Sequence, residues 1–311
     1  MPAKAAIAAC AVALAVSACA SDRSTECAPA ARWIDPSTRQ TLAEGELFAG
    51  LAARPMVLLG EEHDNAAHHR WQLSVIEALH ARRPELVLGF EMFGRASQPV
   101  LDQWVGGDLD ADAFLRAVRW NETWGFDPRL YLPIFTFAQR HGVPMRALNV
   151  ERSLIRRVAR DGLVAVPVEA REGIGVPAPA LPAYRLWLAE IYAHKRAPHA
   201  GGAVAVSADT VAASGKTPAE PADDPGFERF VAAQLTWDRA MAEALAAAHA
   251  RPKAPLVVGL AGIGHLQNGW GIPHQLRDLG IADAAVLLPV AAGAACAELA
   301  AGYADAIFVL E

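Results

Sequence analysis

The sequence predicts an α/β fold: a mostly parallel central sheet with helices on both faces and a helical cap inserted late in the chain. Two observations carry this. Apolar runs of strand length, at 55–60, 86–91, 143–149, 256–265, 284–289 and 306–310, alternate with segments of helical period. Strands that alternate with helices favour parallel pairing, and parallel strands covered on both faces read as unbroken apolar runs. The second observation is how four of these runs end. The first meets Glu61, Glu62, His63 and Asp64; the others finish on Glu91, Asn149 and Gly264-His265. Ligands of open α/β sheets sit beyond the carboxyl ends of the strands. Four polar endings therefore predict one crevice along one sheet edge.

The remaining elements follow in order. Residues 33–53 read as a helical lead-in to the first strand. Residues 66–82 have helical period, with Trp71, Val75, Ile76 and Leu79 on one side and Asp64 or Asn65 as N-cap. His68 and His69 fall in its first turn and read as solvated. Helices are expected at 97–104, 111–118 and 131–141, with an aromatic-rich loop at 120–127 and Tyr131 in a structural role. Residues 153–161 form a basic amphipathic helix, with Arg152, Arg156, Arg157 and Arg160 in and beside it. The α/β domain is drawn over 31–162 and 226–311, interrupted by a cap at 163–225. Within the cap, 183–194 is helical and carries Tyr184, Trp187, Leu188, Ile191 and Tyr192. Residues 197–225 are of low complexity, rich in Ala, Gly, Ser and Pro. Long helical period resumes at 227–250, and a short helix is expected at 273–279.

The start of the chain has its own logic. Lys4 precedes a short run of small apolar residues that ends in Val16-Ser17-Ala18-Cys19. A charged start, an apolar stretch too short to span a bilayer and a small-residue cleavage point make a secretory signal at 1–18. The cysteine at that point resembles a bacterial lipobox. The resemblance implies a lipid on Cys19, a tether at 19–30 and, with Ala20 next, an outer-membrane lipoprotein facing the periplasm or the surface. Cys27 and Cys296 would then be the thiols left for an oxidising compartment to join. The formal charge of −6 gives no reason to invoke nucleic acid, and 53% apolar residues supply a substantial core.

The assembled motifs resemble a known family. Leu59-Gly60-Glu61-Glu62-His63-Asp64-Asn65, Gly89-Phe90-Glu91-Met92-Phe93, Trp124-Gly125-Phe126-Asp127 with Tyr131, Ala147-Leu148-Asn149, residues 234–242, and Gly262-Ile263-Gly264-His265 with Gly271-Ile272-Pro273 look like those of the ChaN family of haem-binding lipoproteins. That family stands within a wider group that includes Tiki proteases and erythromycin esterase-like proteins. The resemblance implies haem as cofactor, a role in haem or iron uptake or storage, and no necessary enzymatic activity. Haem exposed on the cap helix would favour a homodimer that shields its apolar faces, and an outer-membrane haem receptor is expected as a further partner.

Two sets of residues are candidates for the chemistry. Haem iron accepts Tyr or His ligands within an apolar aromatic slot. Tyr184, Trp187, Tyr192 and His194 lie on one expected helix, with His199 beyond it and Arg185, Lys195 and Arg196 as propionate partners. The same aromatic stripe equally suits packing of the cap onto the sheet. The strand-end set Glu61, His63, Glu91 and His265 offers imidazole and carboxylate ligands for a divalent metal ion. It also offers a general base and acid for a hydrolase, the alternative function. Asn149 suits bonding of neighbouring loop backbone.

Overall fold

The structure is a computed structural model and describes residues 30–196, 221, 223–293 and 300–311. The expected signal segment, Cys19, nearly all of the tether, His199 and the Cys27–Cys296 pair lie outside the described residues.

Among the described residues, eight strands form one sheet: β1 Arg32–Ile34, β2 Thr41–Leu42, β3 Met56–Glu61, β4 Leu86–Gly94, β5 Met145–Asn149, β6 Leu256–Gly262, β7 Ala284–Val290 and β8 Ala306–Val309. Their order is β2-β1-β8-β7-β3-β6-β4-β5. From β8 to β5 every neighbour is parallel. Only β1 runs antiparallel, against both β2 and β8. The fold class is the one the sequence predicts.

The helices are α1 Glu44–Ala53, α2 Ala66–Arg82, α3 Gln98–Gly106, α4 Ala111–Ala117, α5 Trp120–Thr123, α6 Leu132–His141, α7 Arg152–Asp161, α8 Pro182–Arg196, α9 Pro225–His249 and α10 Gly271–Asp278. They cover both faces of the sheet, and strand alternation decides which residues meet which layer. Val57 and Leu59 of β3 join the core built with α2, α3, α4 and α6. Met56 and Leu58 join the opposite core, with Met241 and Leu245 of α9 and Leu276 of α10. A smaller cluster seats α8 on α9 through Tyr184, Leu188, Phe227 and Val231.

The expected helical lead-in at 33–53 is corrected at its start. Residues 32–42 form a short β-hairpin, and the helix begins only at Glu44. The reason is long-range. Trp33 is 4% exposed and packs on Phe48, Trp71 and Phe308, at ring-centroid distances of 5.7, 5.9 and 5.1 Å. Phe308 lies opposite Trp33 in the β1–β8 register, near the far end of the chain. The aromatic loop at 120–127 also contains a short helix, α5.

β3, β6, β4 and β5 lie side by side although their sequence order is β3, β4, β5, β6. The chain leaves β3, skips one place to β4 and β5, and later fills the gap with β6. A reversal of this kind opens a crevice at the carboxyl ends of the strands. Truncation of the aromatic anchor tests how the β1 edge is held. Trp33→Ala is expected to cost about 3–5 kcal/mol, read as a lower urea midpoint in chemical denaturation.

Candidate functional site

β3 ends at Glu61, whose side chain is 1% exposed. Its Oε1 accepts from Tyr131, OH to O 2.9 Å, and lies 2.9 Å from His63 Nδ1. Its Oε2 faces His69 Nδ1 at 3.3 Å. Burial pushes the Glu61 carboxyl up, but the His63 hydrogen bond and the His69 charge outweigh it and hold the group below its ordinary value. Burial lowers His63, and its bond to Glu61 and the charge of Glu91 more than reverse that, so His63 stands above an ordinary imidazole. Burial, with Glu61 beside it, keeps Tyr131 a neutral phenol and hence a donor.

A second buried line starts from β4. Beyond Phe90 the β4–β5 register shifts, and Glu91 lies in that irregular stretch. Irregularities of this kind re-aim side chains beside functional sites. Glu91 Oε2 accepts from the Gly262 amide at 2.7 Å, and its Oε1 lies 3.6 Å from His265 Nε2. The other imidazole nitrogen, Nδ1, lies 2.6 Å from Asp238 Oδ1 of α9. Asp238 Oδ2 in turn accepts from the Tyr184 hydroxyl of α8 at 3.0 Å. Burial raises the Asp238 carboxyl despite its cationic neighbour. For His265 burial works downward, and the Glu91 and Asp238 carboxylates override it, lifting the imidazole to about 9.

The two lines meet at Gly262. A Cβ there would lie 3.0 Å from His63 Cε1 and 3.6 Å from Glu91 Oε2, so the glycine lets the His63 ring rest against the β6 exit. At Gly271, φ is +47° and a Cβ would lie 2.4 Å from the His265 carbonyl. Only glycine suits that place, where α10 starts under the histidine.

The structure thus brings Glu61, His63, Glu91 and His265 into one polar cluster. His63 is its open member, with 28% of its side chain exposed against 1% for Glu61, 10% for Glu91 and 11% for His265. Trp124 and Phe126 flank its ring at 4.5 and 5.2 Å. Trp187 of α8 covers Gly264, where a Cβ would lie 2.9 Å from the indole; it stacks on Tyr184 and meets Trp270 at a tilt. The crevice mouth is therefore rimmed by indoles, and His63 is where it can exchange a proton with a bound molecule.

The cluster does not form a metal-ligand set. Among the described residues no group of three or more His, Cys, Asp or Glu side chains is placed to hold a metal ion. The donors are committed in pairs: Glu61 to His63 and Tyr131, Glu91 to the Gly262 amide, His265 to Asp238.

The α8 residues differ from their sequence reading. Tyr184 does not share an open face with Tyr192: it is 1% exposed, and its hydroxyl is spent on Asp238. Arg185 is not free for a propionate, since it clasps Glu228 at 2.7 Å over the Phe227 ring. The Tyr192 hydroxyl bonds Asp224 at 3.2 Å and Arg196 at 2.7 Å. His194 is half-buried, and its Nδ1 donates to the Glu190 carbonyl at 2.9 Å, which leaves the lone pair on Nε2.

His68 and His69 are corrected as well. Both are buried, at 4% and 2%, because the turn after β3 folds back onto the first turn of α2. His68 Nδ1 accepts from the Glu62 amide at 2.9 Å, and burial drives its pKa down to about 4. The roles of Asp238, Tyr131 and His69 were missed. The available signal was Asp238 itself, an acid at helical spacing between the apolar Val231 and Leu245 of a long helix. Asn149 bonds the Glu91 carbonyl at 3.1 Å, a backbone role.

The two shifted histidines set the pH dependence of stability. The folded pKa of His265 exceeds its ordinary 6.5, so its contribution is complete below pH 6.5 and is lost as pH rises through about 9. That of His68 is depressed, so its contribution is complete above pH 6.5 and is lost as pH falls through about 4. Each limb is on the order of 3 kcal/mol at about 1.4 kcal/mol per pKa unit. Urea midpoints measured against pH should peak near 6.5; His265→Gln should flatten the alkaline limb, and His68→Gln the acid one.

Comparison with known proteins completes the description. Residues 47–276 match a family described as haem-binding uptake, Tiki superfamily, ChaN. The solved structure of ChaN of Campylobacter jejuni, with cofacial heme binding, is similar in fold at TM-score 0.64. The two share 17% identity, over 89% of this chain and 95% of that one. An erythromycin esterase mutant in its open conformation gives TM-score 0.46 at 13% identity, over 83% of this chain and 77% of that one. RRSP, a toxin effector domain from Vibrio vulnificus, gives 0.40 at 19%, over 75% and 34%. No curated protein sequence matches the chain.

Proposed function

Because the chain belongs to the haem-binding uptake family of the Tiki superfamily, ChaN, we propose that it is a haem-binding protein of the cell envelope that serves haem or iron uptake or storage. The family match across residues 47–276 carries this reading. The solved relative with cofacial heme supports it through a shared fold.

The residues of α8 fit the group. Trp187, Ile191 and His194 fall at i, i+4 and i+7, on one face of the helix. The Trp187 indole, tilted against Trp270, offers an apolar wall for a porphyrin edge. Further along the same face, the Nδ1 bond of His194 to the Glu190 carbonyl fixes the tautomer that leaves Nε2 for iron. Tyr192, with Arg196 against its hydroxyl, is the competing ligand. Lys195 stands at the same end of α8 to meet a propionate, whereas Arg196 is already paired with Asp224. Bound haem would supply an iron centre to be carried. The chain's own part is to ligate it, wall it and release it.

The same reading includes a lipid on Cys19 that holds the protein at the outer membrane, facing the periplasm or the surface. It includes a homodimer that covers the exposed haem face and an outer-membrane haem receptor as the exchange partner. Addition of hemin to the purified protein tests the core of it. The expected outcome is a shifted Soret band at micromolar protein. His194→Ala should move that band and weaken hemin binding by about tenfold or more, while Tyr192→Phe leaves the band in place. An unshifted Soret band for the unaltered chain would end the haem reading; the opposite ranking of the two variants would reassign the ligand to Tyr192.

A further inference from the structure

The face formed by α7 and the loop after it is unlike the rest of the molecule. α7 buries Leu154, Ile155 and Val158 against Ala233 and Ala240 of α9. Its arginines fall outside that stripe, and Arg152, Arg156, Arg157 and Arg160 are all exposed. Arg160 is paired with its neighbour Asp161 at 2.7 Å. Among the described residues, Arg152 and Arg156 have no carboxylate within ion-pairing distance. Between residues 152 and 171 there are five arginines against two acids, Asp161 and Glu169, in a chain whose net charge is −6.

Exposed apolar side chains accompany this charge. The exposed large hydrophobic residues among the described residues are Val164 at 95%, Val176 at 74% and Val168 at 67%. All three belong to the segment that follows α7. The inward positions of that segment are taken by other residues. Val166 is fully buried and Ile174 is 5% exposed, and both anchor the segment to the α7–α9 cluster. Val164 and Val168 flank the first anchor, and Val176 follows the second. Arg171 ties the loop by donating to the Val166 carbonyl at 2.9 Å, and the Gly175 amide donates to Glu243 at 3.0 Å. The valines therefore stand on a fastened loop, and none of the described residues covers them.

An isolated exposed valine needs no explanation. Three beside a row of arginines match the chemistry of a bilayer surface. Arginines meet anionic phosphates, and the apolar tips enter the headgroup and acyl boundary. An acidic protein partner would satisfy the arginines and leave the valines in water. We propose that this face docks onto an anionic phospholipid bilayer, as a contact separate from the lipid expected on Cys19 and independent of haem binding. With β5 at one edge of the sheet and β1 toward the other, such a contact would hold the domain against the membrane from the side remote from its N-terminal strand.

Vesicle co-sedimentation tests the proposal. The probe is the full chain carrying Cys19→Ala, which has no sulfur at the expected lipid site. The vesicles are phosphatidylcholine alone or phosphatidylcholine mixed with phosphatidylglycerol. Binding to the mixed vesicles only, reversed by salt, is expected. Arg156→Gln alone should weaken it by about fivefold, and Arg152→Gln, Arg156→Gln and Arg157→Gln together by about a hundredfold. Val164→Asp with Val168→Asp should also weaken it, while Arg140→Gln on the distant α6 should not. These residues are exposed, so circular dichroism should be unchanged. Equal binding to both vesicle types, no binding to either, or an undiminished triple variant would overturn the proposal. Hemin affinity is unmoved in every arm, so this test and the haem test fail separately.

Discussion

The arrangement depends on one imidazolium held between two buried carboxylates. His265 presents Nε2 to Glu91 and Nδ1 to Asp238, and both acids are out of solvent. Without a cation between them, two carboxylates would face each other across a medium that solvates neither. An unpaired buried charge costs several kcal/mol, far more than any single surface contact returns. Burial alone would strip the proton from His265; the two acids reverse that outcome, and the imidazole stays charged through neutral pH. The hydrogen bonds then spread outward, from Glu91 to the β6 exit and from Asp238 to Tyr184. One charged ring thus joins β4, the β6 loop, α9 and α8.

The second pair behaves differently because it is open on one side. His63 bonds a fully buried Glu61 yet keeps part of its ring in solvent. A proton on His63 is stabilised by Glu61 and Glu91 and remains exchangeable through the exposed edge. The inner pair fastens elements together. The outer pair is where the crevice meets whatever enters it. The boundary between them is Gly262, whose missing side chain admits the His63 ring.

Much of this was legible in the sequence, and the rest was hidden for physical reasons. Parallel strands buried on both faces advertise themselves as unbroken apolar runs, and polar residues at their ends mark the crevice because nothing else explains them there. Glu61, His63, Glu91 and His265 were all readable in this way. Asp238 and Tyr184 were not readable as partners. They come from helices, and no local pattern says that the inward side of α9 meets the end of β6. Trp33 read as helical because a three-residue strand is too short to show a period of two, and its partner strand lies at the other end of the chain. His68 and His69 read as solvated because first-turn residues usually are. Their burial follows from how the turn after β3 folds back, which sequence does not encode locally.

The same network bears on the proposed haem face. α8 is fastened near its start by Tyr184 on Asp238 and near its end by Tyr192 and Arg196 on Asp224. Between these ties, Arg185 clasps Glu228 of α9. A helix held at both ends loses little freedom when a ligand binds, so the ordering cost of a His194 ligand has largely been met in folding. Part of that cost returns if the tie at Asp238 is broken, because the start of α8 would then rest on the Arg185–Glu228 clasp and its apolar packing alone. His265 is joined to α8 by hydrogen bonds through Asp238 and Tyr184, and Lys195 of the same helix acts against its charge. Its charge nonetheless holds the Asp238 carboxylate to which Tyr184 ties the helix that carries Trp187 and His194. The polar crevice and the proposed haem face are, in that sense, two ends of one chain of hydrogen bonds.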